Sequence, residues 1–294
     1  MTTISLQNNA LRITFSPIGA ELQAITNLQT GQEYLWNGNP TFWNRRAPVL
    51  FPIVGKLKND TYIYQNQAYT LGQHGFARSK TFELIASSDT SVAFRLTDDA
   101  ETRISYPFAF SLIIRYTLTE NRLTTAYEVS NPAAESDLLF SIGAHPGFIC
   151  PMLPEEQYSD YYLEFSASET ALRQHIEAGL RTGETESVLE NAQRIALHKG
   201  IFAKDAFIFE GLKSRTISLR SVHGTHGIAL HAEGFPYMGI WAKANPDGDF
   251  VCIEPWHGIA DSISASGNLE EKEGIIRLQP QKAFTCHFDI EILL

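Results

Sequence analysis

The chain has 294 residues, 44% of them hydrophobic, and a formal net charge of −10 at pH 7. That acidity, with no Lys/Arg cluster to track a phosphate backbone, argues against nucleic acid and against an anionic membrane surface, although two arginines can still hold one small phosphate. The three cysteines, Cys150, Cys252 and Cys286, form no disulfide framework or Cys-x-x-Cys, the start lacks a signal-peptide pattern and no apolar run approaches bilayer length, so a cytoplasmic protein without a membrane partner is expected.

Taken in chain order, the dominant period is two. Leu11, Ile13 and Phe15 alternate with Arg12 and Thr14. Trp36 to Leu57 breaks the rhythm with an aromatic, proline-rich segment that includes Trp43-Asn-Arg-Arg-Ala-Pro48. A strand is predicted at Tyr62–Tyr64, then a loop over Leu71 to Lys80. Further strands are predicted at Phe82–Ala86, Val92–Leu96, Phe110–Leu118, Leu123–Val129 and Leu138–Ile142. Gly143 to Pro154 reads as another loop, and Tyr161–Phe165 as a strand. Ser168 to Glu177 is the best helix candidate, short and mostly polar. Ala206–Phe209, Thr216–Leu219, Ile228–His231 and Met238–Lys243 follow as strands, then a turn at Asn245-Pro-Asp-Gly248. Phe250 to Ile253 is an apolar strand expected to stop at Pro255, which cannot donate to a ladder. Phe284 to Ile292 gives the cleanest alternation. No βαβ alternation occurs, so the expected class is all-β, a large antiparallel β-sandwich with few short helices, as one domain over residues 1–294.

Candidate chemistry lies at strand ends and in loops. Glu254 ends the Phe250 strand, and an acid there fits the floor of a small-molecule site or simply faces water. His74 and His145 sit in matching contexts, Gln73-His-Gly-Phe-Ala-Arg78 and Gly143-Ala-His-Pro-Gly-Phe148. Each reads either as a part-buried histidine bonded to backbone or, with Glu254, as half of an acid–base pair. Asp205 precedes an apolar strand and either accepts hydroxyl protons or ends a loop. Arg78, Arg46 and Arg45 are clamp candidates for hydroxyls or phosphate. Trp36, Trp43, Trp256 and Phe76 can stack on a sugar face or pack in a core. His223-Gly-Thr-His226 has metal-ligand spacing but reads as a hairpin turn without a third ligand. No Gly-x-Ser-x-Gly elbow and no Gly-rich nucleotide loop is present.

These segments, with Lys204-Asp-Ala-Phe-Ile-Phe209 and Cys252-Ile-Glu-Pro-Trp-His-Gly258, fall in an order that resembles the aldose 1-epimerase (galactose mutarotase-like) superfamily. Arg46-Ala-Pro-Val-Leu-Phe-Pro-Ile-Val-Gly-Lys-Leu57 resembles its LacX-like branch in particular. The resemblance implies a supersandwich fold and cofactor-free, metal-free interconversion of the α and β anomers of a hexose by ring opening and reclosure, in a monomer or homodimer. By position it makes Glu254 the general base on the C1 hydroxyl and His145 the general acid on the ring oxygen. It makes His74 and Asp205 substrate holders, and it prefers Arg46 to its neighbour Arg45. Acid–base work by the pair asks for an ionised carboxylate beside a protonated imidazole; Glu254 would raise the proton affinity of His145 and His74 would lower it, and the residues alone leave open which prevails. Galactose mutarotases usually carry a further histidine where this chain has Gly72, and His-Gly-Phe-Ala-Arg is shared with hexose-6-phosphate 1-epimerases. Two alternatives therefore stand beside a free sugar substrate: a hexose 6-phosphate held by Arg78 and Arg46, or a non-catalytic sugar-binding protein on the same fold.

Overall fold

The alternating runs become strands because each leaves one face for a core and one for water. In Ser111–Thr119, Leu112, Ile114, Tyr116 and Leu118 are buried between less buried neighbours. The computed structural model describes residues 4–243 and 250–293; the turn expected at Asn245 to Gly248 lies outside them.

Two antiparallel sheets dominate. The larger has nine strands in the order Leu180–Ala196, Tyr161–Glu177, Thr216–Ser221, Gly227–His231, Ala283–Leu293, Arg122–Ser130, Ser111–Thr119, Ser91–Thr97 and Glu83–Ser87. The second runs Phe207–Glu210, Tyr237–Trp241, Phe250–His257, Ile142–Ala144 and Val49–Leu50, with Gly147–Ile149 also paired to Phe250–His257. Rings from the two layers meet between them: Phe165 lies 6.1 Å from Phe209, and Phe51 lies 5.1 Å from Phe110. Among the described residues the one α-helix is Ala100–Ser105, started by a capping box between Asp99 and Thr102. No helix there is long and apolar enough to cross a membrane.

Two sequence expectations are corrected. Ser168 to Glu177 is not a helix but the outer half of the strand Tyr161–Glu177, paired along its length with Leu180–Ala196. The segment has no 3.6-residue apolar stripe: Ala171 and Arg173 are buried while Leu172 between them is 52% exposed. The turn joining the two strands, Ala178-Gly179, takes positive φ at both residues, 50° and 84°, as a tight hairpin turn with strand-like twist requires. The second correction concerns Pro255. The strand does not stop there but continues as Phe250–His257. Ile253 N–H points toward Pro146, so by alternation the ring nitrogen of Pro255 faces the same side. On that side its register partner is Ala144, the residue just past the last pair that Ile142–Ala144 makes with this strand, Gly143 with Trp256, so the strand runs on past Pro255 with no pair recorded at that position.

Candidate active site

The break between Ile142–Ala144 and Gly147–Ile149 builds the site. Gly143 pairs with Trp256 on one side of it and Gly147 with Cys252 on the other. Both pairings share one register, so the unpaired His145 stands opposite Glu254. Their side chains meet: His145 Nε2 lies 3.1 Å from Glu254 Oε2. Glu254 is 2% exposed and His145 9%. The contact lacks hydrogen-bond alignment, and Glu254 Oε2, His145 Nδ1 and Trp256 Nε1 are buried without hydrogen-bond partners. Three orphaned polar atoms in one place are costly in a fold unless a ligand satisfies them.

These side chains line a cavity of about 380 Å³ together with Trp43, Gln73, His74, Arg78, Asp205 and Trp241, within the range of small-molecule sites. Glycines shape its wall. A Cβ on Gly239 would lie 2.4 Å from the Trp256 ring, and one on Gly143 would lie 2.8 Å from it. The indole therefore lies flat against two bare backbone positions. Trp43 stacks on His145 at 4.8 Å between ring centres, and Trp241 meets the same imidazole edge-on at 5.6 Å.

His74 is fixed by backbone. Its residue takes φ 65°, its N–H donates to Gly55 O, and Gly55 N–H donates to His74 Nδ1 at 3.1 Å. A backbone N–H can only donate, so Nδ1 is unprotonated and a neutral ring carries its proton on Nε2. Burial, then the charges of His145 and Arg78, hold this imidazole well below the usual histidine range. Gly75 beside it has φ 68°, and a Cβ there would stand 2.3 Å from Phe51 O. Gly75→Val is expected to destabilise the protein by about 1–3 kcal/mol through strain and collision, read as a lower thermal midpoint.

Burial also acts on the central pair, pulling against the ionised carboxylate and protonated imidazole that the acid–base chemistry asks for. Desolvation raises Glu254 well above the ordinary carboxyl range, against the nearby Trp256 indole N–H and with the charge of Asp205. Desolvation lowers His145 to about 3; its own backbone opposes this and Arg78 adds to it. Both shifts favour the uncharged forms of the pair, a protonated carboxyl and a neutral imidazole. That state carries the same single proton as carboxylate plus imidazolium, and one transfer over the 3.1 Å gap converts one into the other.

Asp205 is exposed at the cavity rim in the left-handed region, φ 74°. Its Oδ1 accepts from Ala206 N–H at 2.7 Å, which leaves Oδ2 for a ligand. Arg78 lines the cavity with its guanidinium braced on Gln73 O. Arg46 does not reach the cavity: its guanidinium is spent on Gln23 O. Arg45 is likewise held by Arg78 O and Ser79. Of the aromatics, Trp43 and Trp256 line the cavity, whereas Phe76 packs among Phe51, Tyr106 and Phe110, and Trp36 donates to Trp43 O. His226 pairs with buried Glu156 at 3.1 Å and ends a hairpin. One group of described residues has metal-ligand spacing, His145, Cys252 and Glu254, with ligand atoms within 4.8 Å of one another. Burial and Glu254 push the Cys252 thiol well above its ordinary value, so the set offers no preformed thiolate.

Sequence reasoning missed Trp241 and the hairpin tip. Ile176 and Gly179 both line the cavity. The tip is clamped from below: Arg181 donates to Ala260 O at 2.8 Å and to the Glu273 carboxylate at 2.9 and 2.5 Å, and Lys56 Nζ reaches Ala178 O. An aromatic at the end of the apolar strand Tyr237–Trp241 was a signal for Trp241; nothing local marked the tip.

Fold and site together define a two-layer β-sandwich protein whose smaller sheet carries a buried carboxyl–imidazole pair in a small-molecule cavity. The family model for aldose 1-epimerase matches residues 2–289, and the chain belongs to that family. The chromosomal protein LacX of Lactococcus lactis subsp. lactis is 35% identical over 299 residues, covering 99% of each chain. The crystal structure of a galactose mutarotase related enzyme from Lactobacillus acidophilus superposes with a TM-score of 0.95 at 36% identity, covering 100% of this chain and 98% of that one. A galactose mutarotase-like protein from Lactobacillus casei ATCC 334 gives a TM-score of 0.92 at 30% identity, covering 99% of this chain and 100% of that one. The sandwich is the galactose mutarotase-like fold.

Proposed function

We propose that the protein is an aldose 1-epimerase acting on the anomers of an uncharged hexose unit. The observation that carries this reading is the buried Glu254–His145 pair, whose unpartnered atoms line a cavity walled by Trp43, Trp241 and Trp256. Mutarotation needs one proton taken and one given at the C1–O5 unit, and each positioned group contributes ~10²–10⁴-fold. Glu254, after passing its proton to His145, takes the proton of the C1 hydroxyl. His145 gives its proton to the ring oxygen as the C1–O5 bond breaks and the C1 carbonyl forms. Rotation about C1–C2 and reclosure from the other face reverse both transfers. His74 Nε2–H, which meets the Gln73 amide at 3.3 Å, turns to the substrate and donates without adding charge, and the free oxygen of Asp205 accepts from a ring hydroxyl. No step requires a cofactor.

A hexose 6-phosphate is the second reading, favoured by Arg78 at the cavity. A phosphate clamp works best with a bidentate or paired guanidinium, and Arg46 and Arg45 are both engaged elsewhere. Arg78→Ala is therefore expected to raise KM for a free hexose and for its 6-phosphate by similar factors, measured by anomer-exchange NMR. A loss confined to the phosphate would select the second reading. The proposed activity itself is tested by polarimetry on freshly dissolved α-glucose and α-galactose, where the protein is expected to speed the approach to equilibrium over buffer.

A further inference from the structure

Cys252 has no part in the proposed proton exchange, yet it stands beside it. On the strand Phe250–His257 it precedes Glu254 by two, so both side chains leave the same face of the sheet. Its partner across the ladder is Gly147. A Cβ on that glycine would lie 3.3 Å from Cys252 Sγ and 2.9 Å from Trp43, the ring stacked on His145. The bare glycine leaves room for the thiol on the side of the imidazole. One ligand atom from each of Cys252, His145 and Glu254 lies within 4.8 Å of the others.

A cation fits this triangle chemically. Thiolate, imidazole and carboxylate are the ligands of a zinc ion that keeps its fourth position open, and the sulfur selects against hard, oxygen-seeking ions. His145 Nε2 and Glu254 Oε2 are 3.1 Å apart. Two nitrogen or oxygen ligands of one tetrahedral zinc stand roughly 3.3 Å apart, given bonds of about 2.0–2.1 Å. Glu254 is 2% exposed, and its Oε2 is buried without a hydrogen-bond partner; an ion satisfies it. Glu254 and His145 line the cavity, which is the way in.

The charge also balances. Without the ion the three residues carry one proton on the thiol and one on the carboxyl–imidazole pair, and are neutral together. A doubly charged ion displaces both protons and leaves a thiolate, a carboxylate and a neutral imidazole around it, again neutral. The buried site takes the ion without burying net charge. Burial and Glu254 hold Cys252 as a thiol, so binding releases protons and tightens as pH rises.

On this geometry we propose that Cys252, His145 and Glu254 form a binding site for zinc or a similarly soft divalent cation, and that the ion switches the catalytic site off. It takes up both proton-exchanging groups and stands where the C1–O5 unit must sit. The inhibition, though not the binding, rests on the epimerase reading.

The experiment titrates the chelator-stripped protein with zinc chloride by calorimetry near neutral pH, in two buffers of different ionisation enthalpy. One ion per chain is expected, with a Kd of about 1 μM or tighter and release of about two protons. Cys252→Ala and Cys252→Ser are each expected to weaken binding by at least about tenfold. Cobalt(II) in place of zinc is expected to give a sulfur-to-metal charge-transfer band in the wild type and in neither variant. Stoichiometric zinc is expected to silence anomer exchange in the wild type and a chelator to restore it, while each variant keeps in zinc the rate it has without. Zinc bound equally well by the variants, or a wild type with no thiolate band or no proton release, overturns the site. The last two readouts decide alone if neither variant folds. Tight binding with exchange undiminished overturns the inhibition. Exchange absent from the wild type both with and without zinc overturns the epimerase reading, and the zinc site then stands or falls on calorimetry and the cobalt spectrum.

Discussion

Glu254→Gln is expected to lower the anomer-exchange rate by about 10²–10⁴-fold while leaving the fold intact. The amide keeps the volume of the carboxyl in a site that is 2% exposed, but it can neither take nor pass a proton. The substitution also has a sign in stability. The folded carboxyl is held protonated above the ordinary range, chiefly by burial. Between the ordinary carboxyl value and that raised value, the folded state binds a proton that the unfolded state has lost. Stability therefore falls as pH rises through that window. Glutamine has no such linkage, so the thermal midpoint near neutral pH is expected to stay level or rise. A variant that loses activity together with its melting transition would assign Glu254 to structure instead.

His145→Asn is expected to cost a comparable factor, and the double variant with Glu254→Gln no more than either single change. The two groups act as one proton-exchanging unit, and deletions within a unit do not add. The same coupling shapes the pH profile. The one-proton state of the pair gains a second proton only near the lowered His145 value of about 3. It loses its proton as pH rises through the raised Glu254 value. Exchange is expected to hold through the mildly acid range and to fall on the alkaline side, with the limb above the ordinary carboxyl range. A profile falling near the ordinary histidine value on its acid side would mean that bound sugar leaves His145 in an ordinary polar environment. For stability the histidine works the other way: below its ordinary value the unfolded imidazole binds a proton that the folded one does not, so falling pH destabilises the protein down to about 3.

Much of this was legible in the chain because it is written at short range. Period-two alternation in Ser111–Thr119 and Ala283–Leu293 follows from one wet and one buried face, and it survives folding unchanged. Glu254, His145, His74 and Asp205 stood out as acids and imidazoles at strand ends and glycine-rich turns, and the structure brings all four to one cavity. What was hidden depends on partners distant in sequence. Arg46 looked available, but its guanidinium found the Gln23 carbonyl. Ser168 to Glu177 is polar enough to suggest a surface helix, and only its pairing with Leu180–Ala196 makes it a strand. Pro255 ends a strand unless the neighbour makes no pair at that position, and that neighbour, Ala144, lies 111 positions away in sequence. The protonation of the Glu254–His145 pair was left open by the sequence for the same reason: the neighbouring charges are visible in residue types, whereas the depth of burial is not.

The central claim is that a buried Glu254–His145 pair opens and recloses an aldose ring. It is tested most directly by exchange NMR between the two anomers of glucose, in the presence of wild-type protein and of Glu254→Gln at equal concentration. The predicted result is exchange well above the buffer rate with wild type and close to it with the variant, while both melt at similar temperatures. Sugar binding seen by calorimetry with wild-type exchange at the buffer rate would contradict the claim, and would make the protein a sugar binder on an epimerase fold.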